Sequence, residues 1–416
     1  MGRSLVAACG LPQMLASDAP MLSQPSISFL AVDRSEVWIV GDFRKILSGL
    51  VMQFRTSAPA ANEVVFPCLT RQISAILAHY GSARVVCQDA FVAAAQASLR
   101  TVTIPDRWGF PYHLKFSLSY TISSVLRAIT PHSACSGPEV SHIVEDCMTA
   151  DSWVCKEVAA ITGSHADRTA ARQITCIVRE DHEARAQALG QSLIIVAALG
   201  ESPTRSSECL AALTFGLGNP AAKLAWLKGY AARLIPAVCV PAIESGVGLE
   251  AHGQNTLVRV DNATRAVLGF CFRDFGSVRC HTPTLRRRGF RISTAPPDTW
   301  LLTESEEEVW DQIQHTAIHN NLQLLVRQLA VDPALAWRLI RDELDDFFSS
   351  AAACLGNETA ARMHAYLTRP IVKAKALLRM RMSQVTDEVR MPTCPNPPTL
   401  CCPWLTPSPL LLCLAH

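Results

Sequence analysis

The chain has 416 residues, of which 49% are hydrophobic and 18% charged, and its formal net charge is +2. This length suggests roughly two to three domains of about 150 residues each and can bury a large core. The near-neutral charge and the lack of a polybasic run exclude an electrostatic case for a nucleic-acid or anionic-membrane partner.

The cysteines and apolar runs indicate the compartment. Sixteen cysteines are scattered without a C-x-x-C pair or zinc-site spacing, so we expect free thiols in a reducing, cytoplasmic setting. No apolar run approaches the ~20 residues that cross a bilayer, and the N-terminus is too weakly apolar for a secretory signal. We therefore expect no membrane partner.

The sequence pattern of the first half of the chain predicts an α+β fold. Residues 1–60 form a poorly defined segment in which we predict only a strand over Val37–Val40. Residues 61–207 alternate between patterns, with helices over 89–96, 123–129, 140–147 and 151–161 and strands over 98–104 and 113–120. The helix at 123–129 is predicted because Ser123 is a good N-cap residue.

The second half, residues 208–390, is mostly helical around one hairpin. A helix over 221–244 contains Pro236 and Pro241, so it must kink or split. Strands over 248–261 and 267–272 then form a hairpin through the turn at Asp261. Helix is predicted from Glu304 to the high 380s. The composition changes abruptly at Met391, so residues 391–416, rich in Pro and Cys, are predicted to be an unpacked tail.

Polar residues crowd the start of this hairpin, written GLEAHGQNTLVRVD at 248–261. On a strand, Glu250, His252 and Gln254 share one face. Asp274, which follows the returning strand, arrives at the same open end. Two carboxylates with an amide are hard oxygen ligands that suit Mg²⁺, and Mg²⁺ suggests phosphate. The alternative is a purely structural hairpin end, in which these polar groups form hydrogen bonds with one another.

A second cluster lies upstream and is cationic. Ser98 and Arg100 alternate on one predicted strand, Lys115 lies on the next, and Ser123 and Arg127 open the predicted helix. Such cations beside a helix N-terminus form an anion site. This cluster alone does not distinguish a tricarboxylate from a triphosphate, and scattered surface cations remain the alternative.

Other catalytic signals are weak. The sequence has no P-loop or dinucleotide motif, and Arg273-Asp-Phe-Gly276 lacks the Gly-rich loop and H-R-D of a protein kinase. His315 and His319 have metal-ligand spacing without a third ligand, which is typical of ordinary helix histidines.

Several segments together resemble one family. KFSLSYTISSVLR (115–127), GLEAHGQNTL (248–257), RDFG (273–276), SLRT (98–101) and KAKALLRMR (373–381) resemble the IucA/IucC family of aerobactin-synthetase-like, NRPS-independent siderophore synthetases. The resemblance runs from about Ser98 to Met382. It implies a cradle of thumb, fingers and a kinase-like palm, with residues 61–207 as fingers and 208–390 as palm. The family's upstream G-H-P-x-H-P-x-x-K-x-R-x-G motif is missing before Ser98, so we expect the N-terminal thumb to be reduced or absent.

The resemblance also implies an activity. Members adenylate a carboxylate of citrate or a related polycarboxylate with Mg·ATP, release pyrophosphate, and condense the acyl-adenylate with an amine or alcohol. It implies catalytic roles for His252, Arg127 and Lys115; ATP contacts from Ser98, Arg100, Lys115, Ser123 and Gln254; substrate-carboxylate contacts from Arg100, Ser123, Arg127 and His252; and Mg²⁺ ligation by Glu250 and Asp274. A degenerate binding or accessory protein and a kinase-like phosphotransferase remain alternatives. Members are often dimers, which leaves a homodimer open.

Overall fold

The computed structural model describes residues 6–7, 11, 14–54, 59–122, 125–295, 299–355, 358–373 and 393–397. The strands in chain order are β1 Val6–Ala7, β2 Ser26–Asp33, β3 Val37–Val40, β4 Glu63–Leu69, β5 Arg84–Val92, β6 Ala94–Ala95, β7 Thr101–Thr103, β8 Tyr112–Phe116, β9 Tyr120–Ile122, β10 Val125–Leu126, β11 Ser152–Cys155, β12 Glu157–Gly163, β13 Thr175–Glu180, β14 Gln191–Ile195, β15 Val247–Gly248, β16 Thr256–Asp261, β17 Val267–Arg273, β18 Arg279–His281, β19 Leu302–Thr303, β20 Ile371–Lys373 and β21 Thr393–Pro395.

The α-helices in chain order are α1 Ala19–Ser23, α2 Phe43–Phe54, α3 Ile73–His79, α4 Pro131–Cys147, α5 Arg168–Ala171, α6 Glu183–Ala188, α7 Val196–Leu199, α8 Leu210–Phe215, α9 Pro220–Ser245, α10 Thr282–Arg287, α11 Glu306–Ile313, α12 Gln323–Gln328, α13 Pro333–Leu355 and α14 Glu358–Leu367. A π-helical segment, Gln314–Leu322, joins α11 to α12.

The N-terminal residues belong to a packed core. β2 is the middle strand of a three-stranded antiparallel sheet between β4 and β5, and its continuous apolar run is buried. Helix α2 buries Phe43, Leu47 and Leu50 on one stripe. The prediction that residues 1–60 hold only the strand Val37–Val40 is therefore wrong, although that strand itself is confirmed.

A six-stranded antiparallel sheet follows, in the order β3-β12-β13-β8-β7-β6, with α4 against β12. The predicted helix over 151–161 is wrong because β11 and β12 occupy it; the run Trp153-Val-Cys155 and the β-branched residues of β12 favour a pleated surface. The predicted helix over 89–96 is also wrong, since β5 continues to Val92.

The predicted helix over 123–129 is replaced by strands. Val125 pairs with Ile122 and Leu126 with Thr121 in an antiparallel β9–β10 ladder. Serine is favoured in turns as well as at N-caps, so the sequence signal did not separate the two. Ser123 itself lies outside the described residues. The next helix is α4, which begins at Pro131 with Thr130 as its N-cap.

A four-stranded sheet, in the order β11-β17-β16-β14, joins two strands from before residue 208 to two from after it. The predicted hairpin is confirmed as β16 and β17, while β11 joins β17 in parallel. Helix α9 runs unbroken through Pro236 and Pro241, so the predicted split is wrong. Packing of α9 against α13 and β17 accounts for this, because tertiary burial supplies most helical stability in proteins.

The chain after α14 is also packed where it is described. β21 pairs with β20, and Asn396 is fully buried, donating to the carbonyls of Leu367 and Arg369. The prediction of an unpacked tail is therefore wrong for residues 393–397, while the rest of 391–416 lies outside the described residues. Helix α14 ends at Leu367 and β20 follows at Ile371–Lys373, so the prediction of continuous helix is wrong there. Residues 374–390 of that prediction lie outside the described residues. In the described part of the chain, no helix has the length and apolarity to cross a bilayer.

Candidate active site

The structure brings the two polar clusters together. Lys115, on β8 of the six-stranded sheet, donates from Nζ to Oδ1 of Asp274, just past β17, at 2.6 Å. The Lys115 side chain is 5% exposed and that of Asp274 26% exposed. This contact links residues 159 positions apart and joins the six-stranded sheet to the end of the hairpin.

Glu157, which the sequence analysis missed, is the third member of this group. It lies on β12, is 1% exposed, and its Oε1 is 3.4 Å from Lys115 Nζ. Its Oε2 has no hydrogen-bond partner in the described structure. Burial raises the pKa of Glu157, against the opposing effect of Lys115. A side chain at Gly137 would collide with Oε2, so this glycine makes room for the carboxylate.

Asp274 is held ionised by its cationic neighbours. Burial alone would raise its pKa, but Lys115, Arg100 and Arg179 outweigh burial and hold the pKa far below its usual range. Its backbone is left-handed, with φ of 71°. Few residues other than glycine adopt this conformation, and such strain is concentrated at functional sites.

Ser98 and Arg100 lie in a turn, because β7 begins only at Thr101. The predicted strand alternation for this pair is therefore wrong. Ser98 Oγ accepts the Thr101 N–H at 3.1 Å and donates to Thr101 Oγ1 at 2.9 Å, and Leu99 is left-handed with φ of 62°. Arg100 nevertheless reaches the site, where Nη1 donates to the carbonyl of Arg127 at 2.5 Å. Arg100 and Arg127 are thus neighbours.

Glu250, His252 and Gln254 lie in the loop between β15 and β16, so their predicted strand alternation is also wrong. His252 Nδ1 accepts the Gln254 N–H at 3.2 Å, which places the proton of the neutral ring on Nε2. His252 Nε2 lies 3.9 Å from Glu250 Oε1. Asn255, a further residue of this loop, donates from Nδ2 to Glu250 Oε2 at 3.3 Å.

Gln96 ties the two sheets together beside the site. Its Oε1 accepts from Arg179 Nη2 at 2.7 Å and from Arg273 Nη1 at 2.8 Å. Arg273 also donates to the Gln254 carbonyl, which fixes the His252 loop next to Asp274. Burial and the nearby Arg179 lower the pKa of Arg273 to about 10. The sequence analysis did not identify Gln96, at the end of the helix predicted over 89–96, or Arg179, in the run that forms β13.

The site carries more positive than negative charge. Five cations influence one another and Asp274 there: Lys115, Arg100, Arg127, Arg179 and Arg273. The carboxylates opposite them are Glu157, Asp274 and Glu250, together with Glu183, which interacts with Arg273. Buried charge is expected to be paired. The surplus therefore favours an anionic ligand.

Two carboxylates of the site are oxygen donors of the kind that Mg²⁺ prefers. They belong to Asp274 and Glu250; Asn255 donates from Nδ2 to Glu250, and its main-chain carbonyl accepts the N–H of Arg273, the residue before Asp274, at 3.1 Å. No group of three or more His, Cys, Asp or Glu among the described residues forms a metal cluster. Mg²⁺ typically takes one or two carboxylates and fills its shell with water and substrate phosphates, so two carboxylates suffice.

Residues 79–201 match the family described as "IucA / IucC family", and residues 224–388 match "Ferric iron reductase FhuF-like transporter". The chain is 36% identical to the NRPS-independent siderophore synthetase-like protein ankE of Aspergillus thermomutatus over 90% of this chain and 62% of that protein. It is 33% identical to the NRPS-independent siderophore synthetase rfs of Rhizopus delemar over 61% of this chain and 41% of that protein. The chain thus spans less than two thirds of the curated relatives it matches. The resemblance to the IucA/IucC family is confirmed.

Solved structures show the same fold. The petrobactin biosynthesis protein AsbB from Bacillus anthracis superposes with a TM-score of 0.74 at 16% identity, covering 90% of this chain and 68% of that chain. ATP-bound aerobactin synthetase IucA from Klebsiella pneumoniae gives a TM-score of 0.70 at 14% identity, covering 90% and 70%. The mixed α/β fold is therefore that of these siderophore-synthesis proteins.

Proposed function

We propose that the chain is an ATP-dependent ligase that adenylates a carboxylate of citrate or a related polycarboxylate and condenses it with an amine or alcohol. The contact between Lys115 and Asp274 supports this proposal, because it brings one member of the cationic cluster against one acid of the hairpin end. Two anionic reactants can be held together only where their charge is offset, and the surplus cations supply that charge.

The proposed role of each residue follows from its charge. Lys115, Arg100 and Arg127 would hold the nucleotide phosphates and the substrate carboxylates, each charge-assisted hydrogen bond contributing roughly 1.5 to 3 kcal/mol. They would also stabilise the charge that develops as the carboxylate oxygen attacks the α-phosphorus. The hydroxyls of Ser98 and Ser123 would add neutral donors to the same phosphates.

The loop residues would position the reacting carboxylate. His252 presents Nε2–H as a donor, and the side-chain amide of Gln254 would contact the nucleotide. Glu250 and Asp274 would hold Mg²⁺, which supplies charge that offsets the phosphates. Lys115 would then exchange Asp274 for a phosphate oxygen while remaining beside Glu157.

The relatives support this class of reaction. A staphyloferrin A synthase and a D-ornithine–citrate ligase of Staphylococcus aureus are 25% and 22% identical to the chain, over 48% and 42% of their lengths. The second name specifies citrate and an amine as reactants of that protein. The IucA structure was solved with ATP.

We also propose a cradle in which residues 61–207 form the fingers and 208–390 a kinase-like palm, with a homodimer as the assembly. One buried cluster groups residues between Leu11 and Val178 and another groups residues between Val140 and Leu367, so two cores support two units, with residues of 140–199 packed into the second core. Limited proteolysis in the exposed loop 201–205 tests the proposed boundary, and light scattering tests the dimer.

The experiment for the activity is a panel of carboxylic acids incubated with Mg·ATP, with and without amines and alcohols. We expect citrate or a related acid to give AMP and pyrophosphate. Failure of every acid and nucleophile to release pyrophosphate would favour the degenerate binding protein. ADP as the product would instead indicate a kinase-like phosphotransferase.

A further inference from the structure

Two buried arginines from different sheets meet on one neutral oxygen. Arg179 lies on β13 and is 2% exposed, and Arg273 ends β17 and is 8% exposed. Both donate to Oε1 of Gln96, at 2.7 Å and 2.8 Å. A carbonyl oxygen has two lone pairs, so the two guanidinium groups use its full capacity to accept hydrogen bonds.

The orientation of the Gln96 amide is fixed from its other side. Its Nε2 donates to Thr103 Oγ1 at 3.1 Å, and its main-chain N–H donates to the Thr101 carbonyl at 2.8 Å. Guanidinium groups only donate, so the amide oxygen must face the arginines. The main-chain carbonyl of Gln96 accepts the Leu99 N–H at 2.9 Å. Gln96 therefore ties the turn that contains Arg100 to the end of the hairpin.

A neutral side chain is not the expected one between two buried cations. Buried charges are usually paired, and a carboxylate would form charge-assisted hydrogen bonds that are roughly twice as strong. Within the described ranges, neither Arg179 nor Arg273 has a carboxylate in direct contact. Asp274 and Glu183 act on Arg273 from a longer distance, as do Asp274 and Glu157 on Arg179.

The neutral amide leaves the positive charge of the two arginines in effect. Arg179 helps to hold the pKa of Asp274 far below its usual range, so its charge reaches a candidate Mg²⁺ ligand. The five cations of the site face four carboxylates. One further carboxylate, at position 96, would cancel this surplus.

We propose that Gln96 is a positioning residue of the ligase and that the site requires it to be neutral. Its amide oxygen holds Arg179 and Arg273 in place, and Arg273 in turn donates to the Gln254 carbonyl of the His252 loop. Because the amide carries no charge, the two arginines continue to attract the phosphates and carboxylates of the reactants. This inference rests on the proposed function, in which two anionic reactants are held together.

Gln96→Glu separates the two properties, because glutamine and glutamate have nearly the same shape. A carboxylate would pair with both arginines, and the Thr103 hydroxyl would turn to donate to its second oxygen. Asp181 and Glu183 line the same cavity of about 280 Å³ and would repel it. The two guanidinium groups touch position 96 directly and outweigh that repulsion. The variant should therefore be more stable than the wild-type protein and bind anions more weakly.

Thermal unfolding and calorimetric titration with inorganic pyrophosphate measure these two effects. We expect Gln96→Glu to raise Tm by roughly 2 °C and to weaken pyrophosphate binding about tenfold. Gln96→Ala removes the acceptor without adding charge, so it should lower Tm and keep pyrophosphate affinity within about threefold of the wild-type value. Gln187→Glu adds the same charge at an exposed position of α6 and is the matched control, which should change neither quantity.

Pyrophosphate exchange with citrate and Mg·ATP tests the positioning role. In Gln96→Ala the His252 loop loses part of its tie, so kcat should fall while the KM for ATP stays nearly unchanged. In Gln96→Glu the KM should rise instead. A purely structural role would make anion affinity follow stability across the variants, whereas we expect the more stable Gln96→Glu to bind more weakly.

The outcomes separate this proposal from the proposed function. Pyrophosphate binding by Gln96→Glu that equals or exceeds wild-type binding, or a Tm below the wild-type value, would overturn the role of Gln96 even if adenylation proceeds. Absence of exchange with every acid counts against adenylation, while the pyrophosphate titrations still test the charge at position 96. A wild-type protein that binds neither pyrophosphate, citrate nor Mg·ATP would overturn both.

Discussion

Lys115 connects the fold to the proposed chemistry, and Lys115→Met tests both. Methionine keeps the length of the side chain and removes the ammonium. The substitution leaves Glu157, 1% exposed, and Asp274, 26% exposed, without the cation between them. Removing one partner of a buried ion pair costs about 3–5 kcal/mol. Because Asp274 is partly solvated, we expect a loss near the lower end, about 3 kcal/mol at pH 8.

The pH dependence of the stability difference between Lys115→Met and the wild-type protein tests whether buried negative charge causes the loss. Burial already raises the folded-state pKa of Glu157 in the wild-type protein. Without Lys115 that pKa rises further and the pKa of Asp274 moves up from its lowered value, so the native state of the variant binds more protons. Its stability should therefore rise as pH falls through those raised values, and the gap to the wild-type protein should shrink between pH 8 and 5.5. In the wild-type protein the pKa of Asp274 is lowered instead. That contribution to stability is present above the unfolded value and is lost as pH falls below it.

Urea unfolding followed by tryptophan fluorescence at both pH values measures the difference. Lys45→Met is the matched control, since Lys45 and Asp42 form an exposed pair at 3.9 Å whose contribution should be within about 1 kcal/mol. Lys115→Met/Glu157→Gln should recover part of the loss, with a coupling of about 1–3 kcal/mol. A loss below about 1 kcal/mol, or an equal loss at both pH values, would refute the buried-charge argument.

Three other outcomes are expected. His252→Ala should lower the rate of adenylation by about a hundredfold or more, because a positioned hydrogen-bond donor is lost. The circular dichroism melting curve should stay unchanged, because the ring is 26% exposed. Unchanged turnover in this variant would exclude His252 from the mechanism. Burial lowers the pKa of His319 to about 4. The neutral ring therefore contributes stability above pH 6.5 that should be lost as pH falls towards 4, by at most about 3 kcal/mol. In His319→Gln the urea midpoint should fall less steeply over this pH range than in the wild-type protein, and an identical slope in both proteins would contradict this. Asn396→Ala should cost about 1–3 kcal/mol, since it strips donors from two carbonyls and an acceptor from Gln314; an unchanged melting temperature would show that residues 393–397 contribute nothing.

Local patterns predicted much of the fold. The β16–β17 hairpin and the long helix α9 were both predicted from the sequence, and both exist in the structure. The errors arose where two conformations share a signal. Serine suits both N-caps and turns, and the short apolar run of β11 and β12 reads as helix or strand until its partners β17 and β13 are known.

The candidate site was predictable in its chemistry and only partly in its members. Lys115 was predicted as a member of the cationic cluster, and Asp274 as an acid that the hairpin brings to the same open end as Glu250. Glu157 and Gln96 were missed because each gains meaning only from a distant partner, 42 and 177 positions along the chain. Contacts of that range depend on how the sheets meet, which periodicity does not encode.

The left-handed backbone at Asp274 limits what can replace it. A β-branched or bulky residue would clash with its own carbonyl there, whereas Asn and Gly tolerate a φ of 71°. If position 274 were randomised, the folded variants should therefore be enriched in Asn and Gly at that position. These residues adopt the same backbone conformation but have no carboxylate. Aspartate is the residue that meets the demands of both geometry and charge.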